Sequence, residues 1–351
     1  MPAQLINGAE VAEAIREQLK KDVEELKSKG VTPRLAAVQA NDNAGSKIYV
    51  KNQKKSCEEI GLAYDLHELP PDSSQADVEK KIDELAADET VTGIILQMPV
   101  PDGVDAAALQ RRIPFDKDVE GLHPHNQGNG IYGDMTMSPC TAKGAFLLAK
   151  GLDLPPSYDP LPGFAEKMIE AGKTTKSLYG KTVVVVGHSE IVGKPLALLF
   201  LDAFCTVTVC HIGTPPEKLK EACLGADILC VATGVPQVRY NAYRRGLKAH
   251  QKDASKPRPE VPDFYLIHKD MIKPGSAVID IAINRIPKGF DDEGNPVKND
   301  KGKAAMTVVG DVAYDEGLEV AGWITKLPGG VGPMTVAMLL QNTVAAAQKK
   351  L

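Results

Sequence analysis

The chain has 351 residues, of which 43% are hydrophobic and 25% charged, and its formal net charge is −5 at pH 7. Such a chain has room for two globular domains, and its acidic balance argues against binding nucleic acid over a broad surface. No run of about 18 apolar residues is present, so we expect no membrane span. The first residues lack the pattern of a signal peptide, and we expect a cytoplasmic protein.

The cysteines indicate a reduced protein without a metal site. The six cysteines form no C-x-x-C pair, and four of them lie in or beside apolar runs, where a thiol behaves as a small hydrophobe. The cysteines and the seven histidines do not group at ligand spacings, so no metal is expected.

In the first part of the chain, predicted helices alternate with short strands. Helices are predicted at 4–29, at 46–61 with Ser46 as the cap and Gly61 as the end, and at 73–87. Strands are predicted at 35–39, 63–67 and 91–97, and Gln97 ends the last one, where α/β proteins place ligand contacts. Tyr49 and Gln53 share one helix face, and from the helix alone packing is the favoured role for Tyr49.

The middle of the chain contains the most informative stretch, 182–195. Four valines at 183–186 predict a strand buried on both faces, which ends at Gly187. Ser189 is expected to cap the next helix, and Gly193 to let its start lie close to a ligand. This turn would present free N–H groups to an anion such as a pyrophosphate. The spacing differs from G-x-G-x-x-G, so an ordinary strand-to-helix turn is the alternative.

Further strands at 206–210, 226–234 and 277–283 predict βαβ units, a parallel sheet and a bound dinucleotide. Residues 114–121 form an acidic loop, for which a solvated turn is the usual role, and a helix is predicted at 140–150. Residues 153–178 are predicted to be an insertion, 238–262 a basic loop more typical of a solvated excursion than of a partner surface, and 287–303 a polar hairpin or loop. A proline-glycine loop at 327–335 precedes an apolar helix at 336–347.

Eight motifs, in order along the chain, resemble those of the methylenetetrahydrofolate dehydrogenase/cyclohydrolase family. They are Tyr49-Val-x-Asn-x-Lys-Lys-x-Cys-Glu-Glu-Ile-Gly, Ile95-Leu-Gln-Met-Pro-Val-Pro, Lys117-Asp-Val-Glu-Gly, Pro139-Cys-Thr, Val186-Gly-His-Ser-x-x-Val-Gly-Lys-Pro, Val278-Ile-Asp-Ile-Ala-Ile-Asn-Arg, Gly310-Asp-Val and Pro328-Gly-Gly-Val-Gly-Pro-Met-Thr. The resemblance covers the chain apart from the insertions near 153–178 and 238–262.

The resemblance implies an α/β fold in which two domains flank a cleft. Residues 1–148, completed by a C-terminal helix at 331–351, would bind the folate, and 149–330 would form a Rossmann-type domain with a parallel sheet that binds the dinucleotide. It also implies a homodimer formed through the cofactor domain. From the net charge and the lack of a long apolar run, we expect neither a nucleic-acid nor a membrane partner.

The resemblance also implies the site residues. The catalytic positions are Tyr49, Gln53, Gln97 and Glu120. The folate would be bound by Tyr49, Gln97, Glu120, Pro328, Gly329, Gly330, Val331 and Pro333. The dinucleotide would be bound by Gly187, His188, Ser189, Ile191, Val192, Gly193, His211, Ile212, Ala232, Thr233, Gly234 and Ile283.

Two positions depart from the family pattern. The family's catalytic lysine, four residues after the tyrosine, is Gln53 here, and Lys51 and Lys54 lie about 160° and 100° around the helix. The family's Asp-Val-Asp-Gly has Glu120 in place of its second aspartate. Hydrolysis of a methenyl cation needs proton transfers, whereas hydride transfer needs alignment. The sequence therefore predicts oxidation of 5,10-methylenetetrahydrofolate without cyclohydrolase activity.

The cofactor is predicted to be NAD. In relatives that use NADP, the turn resembles Gly-Arg-Ser and the second strand ends in a serine. This chain has His188 in place of that arginine and Ile212 in place of that serine. Neither offers a permanent charge to a 2′-phosphate. NADP stays open, because Lys194 or His211 could reach a phosphate and no acidic residue follows the strand. The alternative functions are a bifunctional NADP-dependent enzyme and a non-catalytic folate- or nucleotide-binding relative.

Overall fold

The structure is a computed structural model that describes residues 2–154, 164–253 and 255–351. It has the predicted α/β class. The strands are β1 (Gln4–Ile6), β2 (Arg34–Gln39), β3 (Ala63–Glu68), β4 (Gly93–Gln97), β5 (Thr182–Val186), β6 (Thr206–Cys210), β7 (Ile228–Val231), β8 (Ala277–Asp280), β9 (Asn284–Pro287), β10 (Met306–Val309) and β11 (Trp323–Thr325). The helices are α1 (Gly8–Ser28), α2 (Ala44–Ile60), α3 (Gln75–Ala87), α4 (Ala106–Arg112), α5 (Pro124–Ile131), α6 (Cys140–Lys150), α7 (Phe164–Glu170), α8 (Gly193–Asp202), α9 (Pro216–Gly225), α10 (Val235–Lys252), α11 (Tyr314–Val320) and α12 (Val331–Gln348).

The chain divides into two compact units, each assembled from separate segments. The first unit comprises Met1–Gly8, Leu148–Ser189 and Phe200–Gly332, and the second comprises Ala9–Leu147, Glu190–Leu199 and Pro333–Leu351. The domains expected from the sequence differ from these units at the start of the chain and at 190–199. No helix in the described parts of the chain is long and apolar enough to cross a membrane.

The first unit is built on a six-stranded parallel sheet in the order β1-β11-β8-β7-β5-β6. The valines of β5 are buried, as an unbroken apolar run in a parallel strand predicts. One face of the sheet packs in a core that includes Val184, Val186, Leu229, Val278 and Ile324. The predicted strand-and-helix alternation is therefore confirmed for this unit.

The second unit has a three-stranded parallel sheet in the order β3-β2-β4. Val78, Ile82 and Leu85 of α3 are buried against the sheet. Most of α12 belongs to this unit, as the resemblance implied, and Nδ2 of Asn342 donates to the carbonyl of Val119 at 2.9 Å.

The predicted starts of α1 and α2 were wrong. The first helix begins at Gly8 and not at residue 4, because Gln4–Ile6 pairs in parallel with β11 and completes the larger sheet. The cap of α2 is Asn43 and not Ser46, since Oδ1 of Asn43 accepts from the N–H groups of Gly45 and Ser46. Gly61 ends α2 in the left-handed conformation, as predicted.

The predicted basic loop at 238–262 is mainly helical. Helix α10 runs to Lys252, and its Tyr240, Tyr243 and Leu247 are buried in a cluster that includes Phe264 and Ile286. The spacing of these three residues is helical, but the many charges between them hid it. The predicted polar hairpin is confirmed, because β9 and β10 pair antiparallel around residues 288–305. Within the other predicted insertion, residues 155–163 lie outside the described part of the chain.

Candidate functional site

Helix α2 and strand β4 hold three of the predicted catalytic side chains. Tyr49 and Gln53 lie on α2, and Gln97 is the last residue of β4. Gln53 is fully buried and Gln97 nearly so, with exposed fractions of 0% and 3%. The structure thus brings together residues that are 44 positions apart in the sequence.

The Gln53 amide joins two neighbours through its oxygen. Nε2 of Gln97 donates to Oε1 of Gln53 at 2.8 Å, and the Tyr64 hydroxyl donates to the same oxygen at 3.3 Å. Nε2 of Gln53 is buried and has no hydrogen-bond partner among the described residues. The Gln53 side chain lies near the Tyr49 hydroxyl and partly offsets the rise in its pKa that burial causes, but Nε2 of Gln53 makes no hydrogen bond of regular geometry to it. One buried donor is therefore available for a ligand.

Tyr49 lies beside Glu120. Burial raises the pKa of the Tyr49 hydroxyl, and the Glu120 carboxylate raises it further. Tyr49, Gln97 and Glu120 line one depression, and Tyr49 and Glu120 also line a small cavity together with Ile191 and Pro139. The ring is half-buried and faces these recesses, so its surroundings differ from those of a core aromatic residue.

Glu120 has an unusually basic carboxylate. Its pKa is raised to about 8, mainly by burial and secondly by the Asp118 carboxylate, and no described cation offsets them. Asp118 is structural: Oδ2 accepts from the His123 N–H at 2.7 Å and from Nδ2 of Asn126 at 2.9 Å. Lys117 is also buried, and its Nζ donates to the carbonyls of Ala86, Asp88 and Leu85. The acidic loop is therefore a packed part of the site, and its interpretation as a solvated turn was wrong.

Among the described residues, no lysine near Gln53 takes its place. Lys51 is exposed, and the exposed Lys54 has its Nζ 4.0 Å from Oε1 of Glu58. Lys143 is more deeply placed, and burial lowers its pKa. Its Nζ donates to the Thr136 carbonyl at 3.1 Å and to Oδ1 of Asn342 at 3.2 Å, so it anchors α6 and α12.

The glycine turn after β5 lies against the end of β7. Gly187 has a φ of +125°, and a Cβ there would lie 2.5 Å from the Ala232 carbonyl oxygen. The Gly187 N–H donates to the Cys210 carbonyl at 2.8 Å, and the Ala232 N–H donates to the Val186 carbonyl at 2.8 Å. Three strand ends thus meet where parallel sheets bind dinucleotides, with bare backbone at Gly187.

The remaining turn residues divide between the units. Helix α8 begins at Gly193, so Ser189 is too far upstream to be its cap, and that prediction was wrong. Residues Ile191, Val192 and Gly193 belong to the second unit, where Ile191 lines the cavity with Tyr49.

After β6 the two predicted cofactor histidines meet. The rings of His188 and His211 have centroids 4.9 Å apart. Nδ1 of His211 accepts from the Gly213 N–H at 3.1 Å, an arrangement that suits the neutral ring. Ile212 is 98% exposed beside them.

The proline-glycine loop belongs largely to the first unit. Pro328, Gly329, Gly330 and Val331 lie in that unit and Pro333 in the second. A Cβ at Gly8 would collide with the Gly330 carbonyl, so the loop packs against the start of α1. A Cβ at Gly332 would lie 3.6 Å from Cδ1 of Ile283, which places this predicted cofactor residue beside the loop. The helix predicted from residue 336 already begins at Val331.

Sequence reasoning missed several residues of the site. Tyr64 binds Gln53 from a strand that had no motif, and nothing in the sequence signalled it. Asp280, Asn284 and Asp311 form a buried polar group beside Thr233 and Gly234. Polar residues at strand ends could have signalled them, as Gln97 was found.

Two sequence models of one family match the chain. The model described as tetrahydrofolate dehydrogenase/cyclohydrolase, catalytic domain, matches residues 6–120. The model described as tetrahydrofolate dehydrogenase/cyclohydrolase, NAD(P)-binding domain, matches residues 165–244 and 261–351. The unmatched residues 245–260 fall within the insertion predicted near 238–262.

Individual proteins match over nearly the full length. The bifunctional protein FolD of Moorella thermoacetica is 36% identical over 349 residues, covering 99% of this chain and 100% of that protein. The crystal structure of the bifunctional FolD methylenetetrahydrofolate dehydrogenase/cyclohydrolase from Campylobacter jejuni has a TM-score of 0.75 and 32% identity, covering 99% and 100%. The methylenetetrahydrofolate dehydrogenase-cyclohydrolase of Trypanosoma brucei, complexed with NADP and an inhibitor, has a TM-score of 0.75 and 28% identity, covering 100% and 99%.

Proposed function

This chain belongs to the tetrahydrofolate dehydrogenase/cyclohydrolase family, and from that premise we propose that it is an NAD-dependent 5,10-methylenetetrahydrofolate dehydrogenase without cyclohydrolase activity. The observation that carries the proposal is Gln53. A neutral amide, fully buried and bonded to Gln97, stands where the family's lysine is expected.

The two reactions make different demands on these side chains. Oxidation removes a hydride from the one-carbon bridge of the folate and needs alignment of the reacting carbons without an obligatory proton transfer. Hydrolysis of the methenyl cation needs an activated water and proton transfers among nitrogen and oxygen atoms. Glutamine amides donate and accept hydrogen bonds but do not ionise at neutral pH, so they are not general acids or bases. Gln53 and Gln97 can therefore orient a folate for oxidation and cannot serve hydrolysis as an acid or base.

The glycine turn of the first unit suits a bound dinucleotide. At Gly187 the crowding by Ala232 leaves room for backbone only, and this turn lies at the carboxyl end of the sheet. In this unit, the turn residues Gly187 and Ser189 and the segment 232–234 would hold the dinucleotide, whose nicotinamide would accept the hydride. His188 and the exposed Ile212 offer no fixed charge to a 2′-phosphate, which supports NAD over NADP.

A second candidate function, the cyclohydrolase activity of the FolD relatives, is favoured by Glu120. A carboxylate whose pKa is about 8 can exchange protons near neutral pH. If Glu120 had taken over the work of the lysine, Glu120→Gln would abolish hydrolysis and leave the oxidation largely intact.

The test follows both reactions in the purified full chain. Formation of reduced cofactor is measured with 5,10-methylenetetrahydrofolate and either NAD or NADP, and decay of the methenyl absorbance is measured separately. The Campylobacter jejuni FolD methylenetetrahydrofolate dehydrogenase/cyclohydrolase is the positive control for hydrolysis. We expect reduction of NAD and a methenyl decay equal to that of buffer. A decay proportional to enzyme would overturn the loss of hydrolysis, and no reduction of either cofactor would overturn the dehydrogenase.

We also propose that the protein is a cytoplasmic homodimer. Strand β6 is an edge of the larger sheet, and Leu201, Phe204 and Val209 around it are exposed. All six cysteines are buried and unpaired, which suits a reducing compartment. Light scattering coupled to gel filtration tests the dimer, and a Val209→Lys variant that stays dimeric would argue against this edge as the interface.

A further inference from the structure

We infer that Asp311 is a positioning residue for the dinucleotide: its buried carboxylate holds the segment Thr233-Gly234 in the shape that the cofactor meets. This inference rests on the proposed function and adds a residue that does not touch the ligand. Asp311 follows β10 and has an exposed fraction of 0%.

The Asp311 carboxylate bonds to the segment after β7 and to Asn284 of β9. Oδ2 accepts from the Thr233 N–H at 2.6 Å and from the Thr233 hydroxyl at 2.7 Å. Oδ1 accepts from the Gly234 N–H at 3.0 Å and from Nδ2 of Asn284 at 3.1 Å. Hydrogen bonds to a carboxylate are stronger than those between neutral groups, so three of them fix this segment firmly and the fourth ties Asp311 to the start of β9.

The held segment adjoins the glycine turn. Ala232 precedes Thr233 directly, and its carbonyl is the group that crowds Gly187. Gly234 has a φ of +69° and is the N-cap of α10 without a side-chain cap of its own. The Asp311 carboxylate therefore supplies an anion to the start of α10, where N–H groups lack intrahelical partners.

The Asp280 carboxylate holds the backbone of Asp311 in place. Oδ1 and Oδ2 of Asp280 accept from the N–H groups of Asp311 and Val312, each at 3.0 Å. A Cβ at Gly310 would collide with the Asp280 carboxylate, so only glycine allows this approach. Burial, and then Asp311, raise the pKa of Asp280 to about 7. Two buried carboxylates near enough to repel each other are costly, and such a cost is typical of functional sites.

The experiment replaces Asp311 by asparagine and measures three quantities. They are the equilibrium dissociation constant of NADH by fluorescence, the KM of the folate, and the thermal unfolding midpoint. Asparagine has nearly the size of aspartate, but its amide N–H₂ would face the backbone N–H of Thr233 or Gly234 and could not accept a hydrogen bond from it. We expect the dissociation constant of NADH to rise about tenfold or more, the scale of one lost charge-assisted hydrogen bond. The folate KM and the kcat at saturating cofactor should stay within about twofold.

The matched control is Asp227→Asn. Asp227 is also a carboxylate of the larger sheet, and it accepts from the Thr182 N–H at 2.9 Å and from Nζ of Lys273 at 2.6 Å. It lies at the amino ends of β5 and β7, so its loss should lower stability without weakening NADH binding. Unchanged NADH binding in the Asp311 variant, or equal weakening in the control, would overturn the inference.

Two milder variants keep the test decisive if the Asp311 variant does not fold. Thr233→Val removes only the hydroxyl that bonds to Oδ2, and Thr233→Ser keeps it. We expect Thr233→Val to bind NADH more weakly than Thr233→Ser does, and equal binding in the two variants would overturn the inference. Failure of the wild-type protein to bind NADH or NADPH would instead overturn the proposed function.

Discussion

Nε2 of Gln97 donates a 2.8 Å hydrogen bond to Oε1 of Gln53, so the end of β4 is fixed to the buried face of α2. Both side chains are neutral amides, and the donor that remains on Gln53 has no partner in the described parts of the chain. The pair can therefore orient a polar ligand, but it cannot move protons.

Restoring the family residues should restore part of the hydrolysis. We expect Gln53→Lys combined with Glu120→Asp to hydrolyse the methenyl folate at least about tenfold faster than the wild type, since a positioned acid or base contributes about 10²–10⁴-fold. A cation at a fully buried position should also lower the free energy of unfolding by roughly 1–3 kcal/mol. Decay of the methenyl absorbance and thermal unfolding measure the two effects. The control is Gln53→Met with Glu120→Asp, which has no charge at position 53 and should remain at the buffer rate.

Tyr49 should act on the folate and not on the fold. Its ring faces the recesses lined by Gln97 and Glu120, so Tyr49→Ala should raise the folate KM about tenfold or more and leave the KM of NAD within about twofold. Tyr49→Phe keeps the ring and should have the smaller effect. Steady-state kinetics with each substrate varied in turn check this. A loss of about 3–5 kcal/mol in stability with unchanged KM values would instead identify a packing residue.

Glu120 should make stability depend on pH. Its folded-state pKa is about 8, above the ordinary value of 4.5, so the folded protein keeps a proton that the unfolded chain loses. The free energy of unfolding should therefore fall as pH rises from about 4.5 to about 8, and this contribution should stay constant above that range. Over this pH range, the free energy of unfolding of the Glu120→Gln variant should rise relative to that of the wild type by on the order of 2–4 kcal/mol. Urea unfolding at several pH values measures it, and Glu24→Gln, on the exposed surface of α1, should parallel the wild type.

The sequence predicted what depends on neighbours along the chain. The valines of β5, the end of α2 at Gly61 and the glycine turn at Gly187 all follow from local rules, and the structure has them. Contacts between distant residues left no such signal. Asp311 reaches Thr233 across 78 positions, and Tyr64 has no motif around it. The segment that forms α10 was predicted to be a loop because its charged residues outnumber Tyr240, Tyr243 and Leu247, the three side chains that it buries in the core.

Gly187 should not tolerate a side chain. An alanine there would hold a φ of +125°, which L residues rarely adopt, and its Cβ would lie 2.5 Å from the Ala232 carbonyl. We expect Gly187→Ala to lower the free energy of unfolding by at least about 1–3 kcal/mol and to abolish NADH binding at micromolar protein. Gly225→Ala is the control, because a Cβ at Gly225 meets nothing within 4 Å. Normal NADH binding by the Gly187 variant would show that the dinucleotide does not use this turn.

The cofactor preference should follow His188 and Ile212. The wild type should have a higher kcat/KM with NAD, because a 2′-phosphate beside these residues would lose water without gaining a fixed charge. His188→Arg with Ile212→Ser should shift the ratio of kcat/KM values toward NADP by about tenfold or more, since an arginine bonds a phosphate through two parallel N–H groups. The shift should shrink at high salt, as expected for a partly exposed ion pair. His188→Gln with Ile212→Ser, which adds hydrogen bonds but no charge, separates the effect of charge from that of polarity. A wild type that prefers NADP would overturn the assignment of NAD, and the exposed Lys194 would then be the candidate cation for the 2′-phosphate.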